Sequence, residues 1–233
     1  LLTLLNSDFE DWRREHPEAP QSEFPFALEK MSASGALFDL AKLADVSKTV
    51  VAKLTAEQVA DGVLAWAARY DPDFYRLISG DKERLAAFFA IDRGGDKPRK
   101  DIAKWADVPD YISYLYDETF TGFSPLPDNL SPADAMAILA AYKAAYDETL
   151  EKNEWFCCVK ELCPGLGFAP EVKHYKKNPG AYKGHVGDVS TVIRIAATGR
   201  RQTPDLCGIL KLLGKDRFFA RADRFIKILE GKS

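Results

Sequence analysis

A chain of 233 residues, 46% hydrophobic and 29% charged, has the composition of an ordinary folded protein, long enough for one large or two small domains. No run approaches the ~20 apolar residues that a membrane-spanning helix needs, and no basic leader precedes an apolar core, so neither a spanning segment nor a signal peptide is expected. The net charge of −3 gives no general pull towards nucleic acid, but it is unevenly placed: residues 173–233 hold 14 Lys or Arg against 5 Asp or Glu, and residues 1–172 hold 18 against 30. That asymmetry reads either as a basic face on the last part of the chain or as a solvated helix surface. The chain opens LLTLLNSDF without Met and is read as beginning inside a longer protein.

In chain order, residues 1–48 read as an irregular lead-in: a helix end, a charged turn at Asp11–Glu18, then Phe24-Pro25-Phe26. Glu29 to Gly35 imitates a K-M-S-K-S nucleotide loop, but Ala33 stands where the phosphate-holding lysine belongs, so no ATP site is expected there. Helices are expected from Thr55, which with Gln58 forms a capping box ahead of the stripe Val59, Val63, Trp66 and Ala67. Asp71-Pro72 starts a second helix that Gly80 ends, and Asp81 caps a third burying Leu85, Phe88 and Phe89. After a basic loop at Gly94–Lys100, a helical pattern resumes with Ile102, Trp105, Tyr111, Ile112 and Leu115.

Thr121–Leu130, rich in Pro and turn formers, is the best domain boundary. Ser131-Pro132 then starts a long helix to about Lys152 with Ala135, Ile138, Leu139, Tyr142 and Tyr146 on its apolar face, and His174–His185 is a basic loop with two tyrosines. Cys157, Cys158 and Cys163 do not have zinc spacing, and with Cys207 are expected to be reduced packing residues. His16, His174 and His185 sit in polar stretches as surface residues, and no G-x-G-x-x-G, Walker or H-E-x-x-H motif occurs. The chain is therefore expected to hold no catalytic residue, cofactor or metal, and to bind rather than react.

The most informative stretch is Asp188–Gly214, DVSTVIRIAATGRRQTPDLCGILKLLG. Asp188 is expected to N-cap a helix with Val189, Val192, Ile193 and Ala196 inward, ending at Gly199. The β-branched residues also allow a strand, but the caps and the 3.6 period favour a helix. That phase turns Arg194 away from the core, with Arg200 and Arg201 following in the turn. A second helix is expected with Thr203 as N-cap and Pro204 at N1, burying Leu206, Ile209, Leu210 and Leu213 and stopped by Gly214. A bare helix N-terminus beside three arginines would suit a polyanion.

The run Arg194–Lys215, with its R-x-A-x-T-G turn, T-P-x-L helix start and L-L-G-K end, resembles the last domain of bacterial glutamyl-tRNA synthetases. SGALFDLAKL at 34–43 and IDRGGDKPRKDIAKWADVPDYISYLYDE at 91–118 resemble the same family in the same order, and the segment after the imitation loop is similar to its F-D-x-x-K-L connector, here Phe38, Asp39, Lys42 and Leu43. The resemblance implies an all-α fold of helical anticodon-binding domains, as a helix bundle or α-helix cage, preceded by the end of a stem-contact region. Its divisions are 1–48, 49–125 and 126–233.

In the family, the Arg, the Thr-Pro pair and the Leu of this run surround the first two anticodon bases, which implies Arg194, Thr203, Pro204 and Leu206 here. A second arginine reads the third base; Arg99 is the best placed match, although Arg93 and the Gly94-Gly95 insertion blur the alignment. Arg200, Arg201 and Lys176 are expected to meet the RNA backbone. The implied partner is the anticodon loop and stem of tRNA-Glu, bound by a cytoplasmic monomer with no membrane association. ATP and Mg would serve a catalytic part absent from this chain. The rival reading is a helical protein–protein adaptor, for which the acidic first 172 residues are the best argument.

Overall fold

The computed structural model describes residues 7–31, 39–95 and 98–231. Ser32–Phe38, with Ala33 of the imitation loop and Phe38 of the connector, lies outside them, as do Asp96 and Lys97. The described residues form twelve α-helices, short 3-10 turns and no strand beyond one isolated bridge between Ala169 and His185, so the fold is all-α as expected.

The lead-in is more regular than its sequence implied. Helix α1 (Phe9–Glu15) takes up most of the charged turn, and α2 (Leu40–Lys53) runs through the expected end of the irregular segment. Asp39 starts α2, its Oδ1 accepting from the amides of Ala41 at 2.8 Å and Lys42 at 3.2 Å.

The next helices follow their sequence signals. The Thr55–Gln58 capping box opens α3 (Ala56–Tyr70), Asp71 caps α4 (Pro72–Ile78) and Asp81 caps α5 (Lys82–Ala90). Val59, Val63 and Ala67 of α3 are buried in one core with Leu85, Phe88 and Phe89 of α5. The expected helical pattern at 102–115 is broken into a 3-10 turn at Trp105–Asp107, the single turn α6 (Val108–Tyr111) and a second 3-10 turn at Ser113–Leu115. Ile112, Tyr114 and Leu115 are still buried.

Ser131 starts α7 (Pro132–Ala144), which ends well short of Lys152. Asp147 turns the chain there, its Oδ1 accepting from the amide of Thr149 at 2.8 Å and from its hydroxyl at 2.6 Å. Such local side-chain bonds compete with helix continuation. Glu151 then opens a separate helix, α8 (Lys152–Leu166), through a capping box with Glu154. The basic stretch after it is not all loop, since it contains α9 (Val172–Lys177).

The last three helices are α10 (Val186–Thr198), α11 (Leu206–Leu213) and α12 (Lys215–Glu230). The ambiguous β-branched run is helical, with Val189, Val192, Ile193 and Ala196 fully buried. Its cap is His185 rather than Asp188: His185 Nδ1 accepts from the Gly187 amide, and Asp188 works from the third helical position by accepting the His185 amide at 2.8 Å. Gly199 ends α10 at φ 72°, as its position implied. Gly208 lets α11 lie against the end of α5, because a Cβ there would meet Ile91 Cγ1 at 3.1 Å. Buried residues from Val51 to Leu229 make one contiguous cluster, drawn from both sides of the Thr121–Leu130 segment.

Candidate nucleic-acid interface

Where α10, the 200–205 turn, the start of α8 and the loop after α5 meet, they enclose an open cleft of about 550 Å³. Arg99, Arg194, Thr203, Pro204 and Leu206 all line it, so residues distant in sequence are brought to one place. Lys176 is not among its walls; it is exposed on α9.

Arg194 departs from its expected state. It faces the cleft half-buried, and its Nη1 donates to Thr203 Oγ1 at 2.6 Å, to the Thr203 carbonyl at 3.2 Å and to the Pro204 carbonyl at 3.1 Å. Burial pulls the pKa of its guanidinium down, and the nearby Asp205 charge opposes that pull. The arginine thus braces the turn from inside and presents its remaining edge to the cleft.

Thr203 is not the N-cap of α11. That role belongs to Asp205, whose Oδ2 accepts from the Gly208 amide at 3.1 Å. Thr203 Oγ1 is engaged instead between Arg194 and the Pro204 carbonyl. The helix N-terminus is therefore not bare; a carboxylate already fills the place expected for a polyanion. Two residues earlier than the true cap, Thr-Pro carries the same start signal as Asp205, and the sequence does not rank them.

Asp205 belongs to a cluster that ties three elements together. Lys152, the first residue of α8, lies 3.0 Å from Asp92 Oδ1 and 3.2 Å from Asp205 Oδ1, and Asp92 Oδ2 accepts the Asp205 amide at 3.0 Å. Asp92 does this from the left-handed region at φ 54°, a conformation that Asp tolerates better than most side chains. No motif marks this trio in the sequence, because its members come from three separate turns.

Arg99 and Arg93, which the sequence left hard to separate, have different tasks. Arg93 Nη1 donates to the carbonyls of Val51 at 2.8 Å and Leu54 at 3.0 Å, closing the C-terminal end of α2. Arg99 reaches the cleft and is held by Asp101 through Nε at 2.6 Å and Nη2 at 3.2 Å. That hydrogen bond is the main reason its pKa rises further. Tyr111 donates to the same carboxylate at 2.7 Å. Burial acts against the Asp101 charge, but the bonds from Arg99 and Tyr111 outweigh it and hold the carboxyl below its ordinary pKa.

The turn arginines also differ from expectation. Arg200 Nη2 donates to the Asp110 carbonyl at 2.6 Å and to Ser113 Oγ at 3.1 Å. Arg201 lines the cleft, but its Nε and Nη2 donate to the carbonyls of Pro125 and Leu126 at 3.0 and 2.6 Å. Both fasten the turn to the 110–126 segment. The cleft is thus not a plain cationic patch: its carboxylates are matched by Lys152, and its guanidiniums are fixed at known places. Donors held in this way suit base edges, whereas mobile surface cations suit phosphates.

Residues 181–226, which contain α10, α11 and most of α12, match the family described as anticodon binding domain. The glutamate–tRNA ligase of Acetivibrio thermocellus is 43% identical over 97% of this chain and 41% of its own length. That of Clostridium perfringens strain 13 is 44% identical over 93% of the chain and 40% of its length. The chain is a homologue of the C-terminal part of glutamate–tRNA ligases. It spans about two-fifths of the length of the curated relatives it matches. In structure it is similar to a glutamate-tRNA synthetase from Elizabethkingia anophelis, with a TM-score of 0.54 at 13% identity over 87% of this chain and 34% of the other. That likeness supports the fold. Among the described residues, no helix is long and apolar enough to cross a membrane.

Proposed function

We propose that this chain is the anticodon-reading part of a cytoplasmic, monomeric glutamate–tRNA ligase, which joins glutamate to tRNA-Glu with ATP and Mg in a catalytic part outside these residues. The observation that carries the reading is the single cleft in which Arg99, from the 49–125 segment, meets Arg194, Thr203, Pro204 and Leu206, from the 126–233 segment. Sequence-specific RNA recognition mostly takes single-stranded loops, whose splayed bases can be read on their edges. An anticodon loop is such a ligand, and the two fixed guanidiniums of one cleft, whose wall is closed by the buried Pro204 and Leu206, can hold successive bases.

The chain itself, in this reading, forms no glutamyl-adenylate, and ATP–pyrophosphate exchange by the pure chain would contradict it. The decisive measurement is binding to an anticodon stem-loop RNA and to versions with each anticodon base changed. Arg99→Ala is expected to weaken binding and to flatten the preference at one base position. Equal binding to every loop sequence by the unaltered chain would overturn the reading in favour of an adaptor or a nonspecific RNA surface.

A further inference from the structure

One wall of the cleft has features that its arginines do not explain. Lys152, Phe156 and Lys160 follow one another at four-residue intervals on α8, and residues so spaced share a helix face. Lys152 at the head of this row is bonded into the Asp92–Asp205 cluster, which fixes the row at the cleft. Trp155, the buried neighbour of Phe156 in the cleft wall, fixes the rotation of the helix by donating through Nε1 to Tyr142 Oη at 2.7 Å. Phe156 therefore lines the cleft while remaining 39% exposed. Its ring has no aromatic neighbour among the described residues, only the Lys160 ammonium 4.9 Å from its centroid. Lys160 is in turn paired with Glu171 at 2.7 Å.

Facing α8, α10 brings Ser190 and Arg194 to the cleft, again four residues apart. Ser190 is 9% exposed, and its Oγ has no hydrogen-bond partner among the described residues. A buried hydroxyl without a partner costs free energy that a hydrogen-bonding ligand would recover.

We infer that Phe156 and Ser190 form a seat for one unstacked nucleobase, with the base plane on the Phe156 ring and a base-edge polar atom on Ser190 Oγ. This rests on the anticodon-loop reading above and adds to it a stacking residue and a hydroxyl outside the matched Thr-Pro-x-Leu run. The Lys160 ammonium lies over one face of the ring, and the part left exposed to the cleft is what a sequence-tolerant stacking platform requires, because every base has a π-face. The hydroxyl then favours bases with a donor or acceptor at the matching edge.

The test uses the whole chain and an anticodon stem-loop RNA carrying 2-aminopurine at each loop position in turn. The unaltered chain should quench one position more than the others. Phe156→Leu, which keeps an apolar side chain but removes the π-face, should weaken binding about tenfold and abolish that position's quench, and Phe156→Trp should restore both. Ser190→Ala should weaken binding less and change which base is preferred at the same position. Circular dichroism and thermal melts of each variant should match the unaltered chain. Should Phe156→Leu bind and quench as before while Arg99→Ala loses affinity, the seat is wrong and the anticodon reading stands. Unchanged binding in both variants would overturn both. A loss of affinity in Phe156→Leu without a change at any labelled base would also overturn the seat.

Discussion

Arg194 and Thr203 are joined by a 2.6 Å hydrogen bond from the guanidinium to the threonine hydroxyl, with the carbonyls of Thr203 and Pro204 completing the grip. The side chain that the helical phase turns away from the core is therefore a strut of the turn beside it. Arg194→Ala should destabilise the fold by about 1–3 kcal/mol, the range for losing hydrogen bonds to a charged group, rather than leave it unchanged. Denaturant unfolding at constant m-value reads this directly. Thr203→Val, which removes one acceptor and leaves both carbonyls, should cost less. An Arg194→Ala protein as stable as the original would show that these bonds contribute nothing and that the arginine is free for a ligand.

Gly199 is held as tightly from outside as Arg194 is from within. It sits at φ 72°, and an added Cβ would overlap the Gly122 carbonyl oxygen. The Gly199 carbonyl also accepts from the Ser124 amide at 2.8 Å and from its hydroxyl at 2.7 Å. Gly199→Ala should lose about 1–2 kcal/mol for the left-handed backbone alone, and more because Gly122 must move. Gly180→Ala is the control, since nothing lies within 4 Å of its added Cβ. A melting temperature for Gly199→Ala equal to that of Gly180→Ala would refute this account of the turn.

Much of this was open to reading in the chain, and the failures have a common cause. Caps at Asp71, Asp81, Ser131 and Gly199 depend on one to four neighbouring residues, so local chemistry settles them. The break after Ala144 is hidden in the sequence, because alanine-rich sequence continues the helical pattern while Asp147 closes a turn. The cleft wall at Thr203–Leu206 was legible as one run, since those residues are neighbours. The partners of its arginines were not, because Asp110, Pro125 and Leu126 are brought to them only by tertiary packing. A basic residue in a polar turn looks the same in sequence whether it meets water, RNA or a carbonyl.

Arg221, which no motif marks, should matter more to stability than any of the residues named from sequence. It is 5% exposed, donating to the Tyr114 carbonyl at 2.7 Å, the Ala197 carbonyl at 2.8 Å and Asp117 Oδ1 at 2.6 Å, with its guanidinium carbon 4.1 Å from the Phe120 ring centroid. Removing it leaves two buried carbonyls unpaired, so Arg221→Ala should cost about 3–5 kcal/mol. Asp117→Asn should cost much less, because that carboxylate is mostly exposed.

The same pair sets a direction for acid sensitivity. Burial disfavours the Asp117 charge, but the bond from Arg221 and the charges of Arg217 and Arg221 outweigh it and hold the pKa below the ordinary 3.8. A carboxyl lowered on folding stabilises the native state above its unfolded pKa and loses that contribution as pH falls through the folded value. Stability attributable to Asp117 should thus be complete at neutral pH and fade only below about 3.8. Unfolding curves for Asp117→Asn and the unaltered chain should converge in that acid range; a constant gap between them down to pH 2 would refute the linkage.

The cations expected to meet RNA should separate into two kinds when tested together. Arg200 and Arg201 each donate to backbone carbonyls of the 110–126 segment, so their guanidiniums are structural fasteners. Lys176 is exposed and its ammonium makes no hydrogen bond or ion pair among the described residues, so it is available to a phosphate. Each phosphate contact adds about 0.7–0.9 to the slope of log affinity against log salt. Lys176→Ala should therefore leave the melting temperature unchanged, weaken all loop sequences alike and shallow the salt slope by about one contact. Arg200→Ala should lower the melting temperature, and its folded fraction should bind with the original salt slope. Arg99→Ala should do neither: its melt should be nearly unaltered and its salt slope close to the original, while discrimination at one anticodon base falls by ~1–3 kcal/mol. If Arg200→Ala and Lys176→Ala change the salt slope equally, the carbonyl bonds of Arg200 give way when RNA arrives, and the division drawn here between fasteners and free cations is wrong.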